Sequence, residues 1–145
     1  MSKTAYIVKA YRTAVGKAPK GVFRFKRPDE LAAETIEYMM AELPNFDKTR
    51  IDDVMVGNAM PEAEQGLNVG RLISLMGLKV EDVPGVTVNR YCASGIETIG
   101  MATAKIQSGM ASCIIAGGAE SMSFIPMGGY KPTPDYKVAK ADRKS

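Results

Sequence analysis

The stretch Val86-Thr87-Val88-Asn89-Arg90-Tyr91-Cys92-Ala93-Ser94-Gly95-Ile96 runs from β-branched residues into small ones, with a cysteine at the junction. Val86 to Asn89, introduced by Pro84-Gly85, reads as a short strand. From about Cys92 to Gln107 the residues Ile96, Ile99, Thr103 and Ile106 recur at helical spacing, which predicts an inward face, and Gly109 supplies the stop. A strand passing directly into a helix is half of a βαβ unit. The fold class therefore depends on whether the same order repeats on either side.

It repeats. Upstream, Thr4 to Val8 reads as a strand, followed by a Gly- and Pro-punctuated loop. A helix is expected from Pro28-Asp29-Glu30 to the stop at Pro44, with Ala32, Ile36, Met39, Met40 and Leu43 on one face. Asp53 to Gly57 reads as a buried strand, and Asn68 to Met76, stopped by Gly77, as a helix. Downstream, Ser112 to Gly117 is a continuous apolar run of the kind that crossover helices bury on both faces. Four strands alternating with helices predict an α/β fold, a largely parallel sheet with helices on both faces.

From Ser121 the pattern stops, and Pro126, Gly128, Gly129, Pro132 and Pro134 break what remains. The expected division is a core over residues 1–120 and a segment over 121–145 that is extended or disordered in isolation. That segment is either a disordered tail or the beginning of an insertion in a longer chain.

Composition narrows the function. With 145 residues, 46% apolar and 24% charged, the chain matches one soluble globular domain. Its sequence holds no apolar run of about 18 residues, so no membrane span is expected, and the expected location is cytoplasmic. Residues 1–28 carry eight Lys or Arg and no acid, whereas 29–130 carry six basic and fourteen acidic side chains. The basic amino terminus reads as a surface loop rather than a transit peptide, because Gly16, Pro19 and Gly21 interrupt any amphipathic helix. Nucleic acid is not an expected partner, since the cations form no stripe interleaved with aromatics and the middle is acidic.

The sequence has no histidine and only two cysteines, Cys92 and Cys113, which excludes a zinc site and leaves no metal ligands to name. Gly117-Gly118 and Gly128-Gly129 complete no phosphate-cradling pattern. Cys113, continued by Ile114-Ile115-Ala116, reads as a buried small hydrophobe. Cys92 falls at the carboxyl end of a strand, where open α/β sheets bind ligands. A helix amino terminus there favours a thiolate, and Ala93, Ser94 and Gly95 leave room for an approaching ligand, as at a nucleophile elbow. Glu120 admits two roles, a buried polar group at the site or a hydrogen-bonded structural carboxylate.

Asn89-Arg90-Tyr91-Cys92-Ala93-Ser94-Gly95 resembles the nucleophile motif of the thiolases, and Ala116-Gly117-Gly118-Ala119-Glu120-Ser121-Met122-Ser123 resembles the segment that follows it. Arg12-Thr13-Ala14-Val15-Gly16-Lys17, Arg27-Pro28-Asp29-Glu30-Leu31 and Gln65-Gly66-Leu67-Asn68-Val69-Gly70-Arg71 are similar to further landmarks, in order. The resemblance implies a thiolase-like amino-terminal half truncated within its loop insertion, and a Cys-dependent acyltransferase acting on coenzyme A thioesters. Cys92 would be its catalytic nucleophile, with an S-acyl intermediate. Coenzyme A and acetyl-CoA would be substrates, with no permanently bound cofactor, and no residue here is assigned to binding them. The resemblance also implies a homo-oligomer, and a carboxyl-terminal half that supplies a histidine, a second cysteine and an asparagine. Arg90 and Ile125-Pro126-Met127 lean toward degradative 3-ketoacyl-CoA enzymes over biosynthetic acetyl-CoA acetyltransferases. The readings of another class are a non-catalytic thiolase-like module that binds acyl-CoA or acts as a scaffold, and a generic flavodoxin-like binding domain.

Overall fold

A computed structural model describes residues 3–138. Its sheet has three parallel strands, β1 (Asp53–Gly57), β2 (Gly85–Val88) and β3 (Ile114–Gly118), in the order β2-β1-β3. Three helices accompany them, α1 (Pro28–Ala41), α2 (Val69–Leu78) and α3 (Ser94–Ser108). The expected α/β class, with a parallel sheet and helices on both faces, is what forms.

Alternation along the central strand distributes the helices. Val54 and Val56 point into the main core with Ile36 and Met40 of α1 and Val69, Ile73 and Leu78 of α2. Asp53 and Gly57 face α3 instead, where Lys105 bonds Asp53 at 2.8 Å and a Cβ on Gly57 would collide with the Ser94 carbonyl group. Both faces of β1 are thus covered, and all five of its residues are buried. Each large aliphatic side chain withdrawn from water here contributes about 1.5–3 kcal/mol, so Ile73 and Leu78, both almost wholly buried, anchor α2.

Four details depart from expectation. Gly77 does not stop α2, which continues to Leu78 and is capped by Lys79 in the left-handed region (φ 60°). Gly77 lies where α1 and α2 approach, since its Cβ would stand 2.9 Å from the Cβ of Ile36. The inward face of α3 is Ser94, Thr98 and Ala102 rather than Ile96, Ile99, Thr103 and Ile106, and Ile96 is 68% exposed. Small side chains let this helix sit close on the strands, with Thr98 Oγ1 donating to the Gly117 carbonyl at 2.9 Å. Both stripes have helical period, so periodicity alone selects the more apolar one.

The Thr4 to Val8 segment is not a strand. Tyr6, Ile7 and Val8 are about four-fifths exposed, and the nearest backbone tie is Lys3 N–H to the Gln107 carbonyl at 3.3 Å. Its composition fits a pleated surface, but a ladder also requires an edge that the segment reaches. The sheet consequently has three strands among the described residues, not four. The last strand is also half-buried rather than buried on both faces.

The start of β3 is held to β1 by Asp52. Its carboxylate accepts the N–H groups of Ser112 (2.6 Å) and Cys113 (3.0 Å), which hold it below the usual carboxylate range. A carboxyl depressed in the folded state stabilises the fold above its unfolded value, about 3.9, and loses that contribution as pH falls through the folded value. Melting temperatures between pH 3 and 7 should therefore fall less on acidification for Asp52→Asn than for the parent chain. Parallel curves would show that these bonds carry no pH-dependent stability.

Residues 121–130 form turns joined to the body of the fold. Ile125 is buried, the Tyr130 hydroxyl donates to the Phe124 carbonyl, and Tyr130 N–H donates to Glu62 at 2.7 Å. The expectation for the end of the 121–145 segment falls partly on residues 139–145, outside the described residues.

Candidate active site at the carboxyl ends of the strands

In a parallel sheet all strands end on the same edge, so the segments after Gly57, Val88 and Gly118 lie side by side, with that of β1 in the middle. Cys92 is in the segment after β2. The helix begins at Ser94, two residues later than the sequence suggests, which puts the cysteine in the turn preceding α3 with its side chain exposed.

That turn is tightly specified. Tyr91 sits in the left-handed region (φ 49°), which for a non-glycine residue costs of order 1–3 kcal/mol. Hydrogen bonds hold it there. Asn89 Oδ1 accepts Tyr91 N–H at 2.9 Å, while Ser94 Oγ accepts Arg90 N–H at 2.8 Å and donates to the Tyr91 carbonyl at 2.6 Å. Ala93 N–H and Ser94 N–H close on the Arg90 and Tyr91 carbonyls at 3.1 and 3.0 Å. A strand, a strained turn and a helix start thus present an exposed thiol at the amino end of the α3 dipole, a geometry suited to a nucleophile.

The neighbouring segments buttress this turn. Asn89 Nδ2 donates to the Ala59 carbonyl at 3.1 Å, joining the segments after β2 and β1. Ala59 N–H donates to Glu120 Oε2 at 2.6 Å, joining the segments after β1 and β3. Glu120 Oε1 accepts from Gln65 Nε2 (2.5 Å) and Asn58 Nδ2 (3.3 Å), and Gln65 Oε1 accepts Ser121 N–H at 2.5 Å. Glu120 is thus the hydrogen-bonded carboxylate of the two roles considered, on a residue that is exposed rather than buried. In the sequence Gln65 and Asn89 stand only within family-like motifs, and no motif marks Asn58. For Asn58 and Asn89 the available signal is a polar residue directly after a strand, which Gln65 lacks.

Asn58 is 1% exposed, and its Oδ1 is buried without a hydrogen-bond partner among the described residues. Its amide donates to the Ala119 carbonyl at 2.8 Å as well as to Glu120, so both acceptors demand the NH₂ group in this orientation. An unpaired buried oxygen costs about 1–3 kcal/mol, a cost the two strand-end bonds offset.

Cys113 is remote from Cys92. It immediately precedes β3, at the opposite edge of the sheet from the turn after β2. Strands of this length rise about 3.3 Å per residue, which separates the two thiols by roughly 15 Å. Burial, with the Asp52 carboxylate nearby, pushes the Cys113 thiol up from its ordinary value, so it is the less reactive form that is favoured there. Two clefts, of about 250 and 310 Å³, are lined by residues such as Tyr11 and Tyr38 in one and Phe46 and Lys48 in the other. Neither includes Cys92. No group of three or more His, Cys, Asp or Glu among the described residues is arranged to hold a metal ion.

Residues 5–144 match the family model for the thiolase N-terminal domain. The chain belongs to the thiolase family. A 3-ketoacyl-CoA thiolase of Bacillus subtilis is 44% identical over 138 residues, covering 95% of this chain and 35% of that protein. A beta-ketoadipyl-CoA thiolase of Pseudomonas knackmussii is 39% identical over 142 residues, 98% of this chain and 33% of that protein. Among solved structures, the Bacillus anthracis acetyl-CoA acetyltransferase superposes with a TM-score of 0.64 at 28% identity, over 71% of this chain and 26% of that one. The chain therefore spans about a third of the length of the curated thiolases it matches. Among the described residues, no helix is long and apolar enough to cross a membrane.

Proposed function

We propose that these 145 residues supply the nucleophile-bearing portion of a cytoplasmic acyltransferase that cleaves 3-oxoacyl-CoA thioesters. The observation that carries this reading is the exposed Cys92 thiol, held at the mouth of α3 by a strained, hydrogen-bonded turn, in a chain of the thiolase family. The Cys92 thiolate attacks the ketone carbon of the substrate. The bond between that carbon and C2 breaks, its electron pair passes to C2 as the enolate of acetyl-CoA, and C2 is then protonated. The remaining acyl group stays on Cys92 as a thioester until a coenzyme A thiol, giving up its proton, displaces the Cys92 thiolate. The Cys92 N–H is suited to an oxyanion hole for the tetrahedral intermediates.

Proton transfer calls for groups that this sequence does not contain, since it has no histidine and its other thiol is at the far edge of the sheet. The resemblance to the thiolases implies that they come from a carboxyl-terminal half, which also walls the substrate pocket. Ile96 and Met110, 68% and 76% exposed, and the open edge of β3 favour association into a homo-oligomer.

Degradative activity is favoured over acetoacetyl-CoA synthesis by Arg90 and Ile125-Pro126-Met127, and by the names of the similar curated proteins. A pocket distinguishes each added methylene by about 1–3 kcal/mol, so chain length is a sensitive reporter. The enzyme joined to its carboxyl-terminal half should be sized by light scattering and assayed with acetoacetyl-CoA and with 3-oxo thioesters of longer chain. An oligomer that turns over the longer thioesters is expected. Turnover of the four-carbon substrate alone would assign the biosynthetic reaction, and acyl-CoA binding with no turnover would assign the non-catalytic module.

A further inference from the structure

We propose that Glu120 is a positioning residue for Cys92, acting across the sheet edge through Ala59 and Asn89. This rests on the reading of Cys92 as nucleophile. Three strand-end segments meet on one continuous set of hydrogen bonds: Glu120 after β3 takes Ala59 N–H at 2.6 Å, and the carbonyl of that same residue takes Asn89 Nδ2 at 3.1 Å. The opposite end of the Asn89 side chain then holds Tyr91 N–H at 2.9 Å, next to the thiol-bearing residue. Each link is a single residue used from both ends, so a displacement of Glu120 is passed to Ala59, to Asn89 and to the turn.

The turn has need of such a brace. Tyr91 occupies the left-handed region without being glycine, a conformation that relaxes unless surrounding bonds over-determine it. Glu120 is itself fixed by Gln65, which is wholly buried and also binds Ser121 N–H, and by the buried Asn58. The brace is therefore anchored in the body of the fold, although Glu120 lies at its surface. A carboxylate suits the post because it is acceptor-only and here meets three donors, whereas an amide would turn an NH₂ toward at least one of them.

The sign of the effect separates positioning from simple electrostatics. Removing a carboxylate from the neighbourhood of a thiol favours the thiolate and speeds its alkylation. Loss of position does the opposite, by swinging the thiol away from the helix amino end. Peptide-resolved mass spectrometry should follow iodoacetamide alkylation of Cys92 and Cys113 in the parent chain, Glu120→Gln and Asn89→Ser. A serine at 89 still accepts Tyr91 N–H in a local turn but is too short to reach Ala59, so it cuts the relay without touching Glu120.

Both variants are expected to label Cys92 at least threefold more slowly than the parent, with Cys113 unchanged. An unchanged or faster Cys92 in a folded Glu120→Gln chain overturns the proposal. If that variant labels both thiols rapidly because it has unfolded, Asn89→Ser decides, and an unchanged Cys92 rate there overturns it equally. A parent chain in which Cys92 is no more reactive than Cys113 would instead sink the nucleophile reading on which the proposal stands.

Discussion

Incubated with acetoacetyl-CoA and free coenzyme A, the 145-residue chain by itself is expected to give no thiolysis above the uncatalysed rate. Two proton transfers are required, one to release the coenzyme A thiol proton and one to protonate the departing enolate. Groups that perform such transfers typically contribute 10²–10⁴-fold each. The sequence has no histidine, and Cys113 is roughly 15 Å from Cys92 by strand rise, at the wrong edge of the sheet and with its thiol form favoured by burial. No other thiol exists to take the role. Loss of the acetoacetyl-CoA enolate absorbance on mixing measures the reaction, and the expected trace is flat. Robust turnover by the purified chain would mean that other residues move these protons.

Much of this organisation is legible in the sequence, for identifiable physical reasons. The strand Asp53–Gly57 is found where the short apolar run placed it, with all five of its residues buried. Helix α1 begins at Pro28 as expected, since proline there lacks only an N–H that a first turn leaves unpaired. Ile36 and Met40 face the core, although Ala33 is buried more deeply than the expected Ala32, which is only partly so.

Other features required information that a local pattern does not carry. In α3 the isoleucine stripe and the Ser94-Thr98-Ala102 stripe have the same period, and the choice is made by the close approach of Gly57 to Ser94, a contact between residues far apart in sequence. Thr4 to Val8 has strand composition but no strand partner in the described structure, which composition cannot report. At the candidate site Cys92 was legible from its place between strand and helix. Asn58, Ala59 and Gln65 were not, because their roles exist only once β1 lies between β2 and β3.

We propose Cys92, and not Cys113, as the nucleophile. The structure gives the two thiols opposite surroundings: one is exposed at a helix amino end, the other half-buried with a carboxylate nearby. Access favours the first, and burial holds the second as the less reactive thiol. The most direct measurement is the rate of iodoacetamide modification of each cysteine in the folded chain at neutral pH, read by mass spectrometry of the two peptides. Cys92 is expected to be modified faster by about tenfold or more, since it combines a helix terminus with exposure. Equal rates, or faster modification of Cys113, would contradict it.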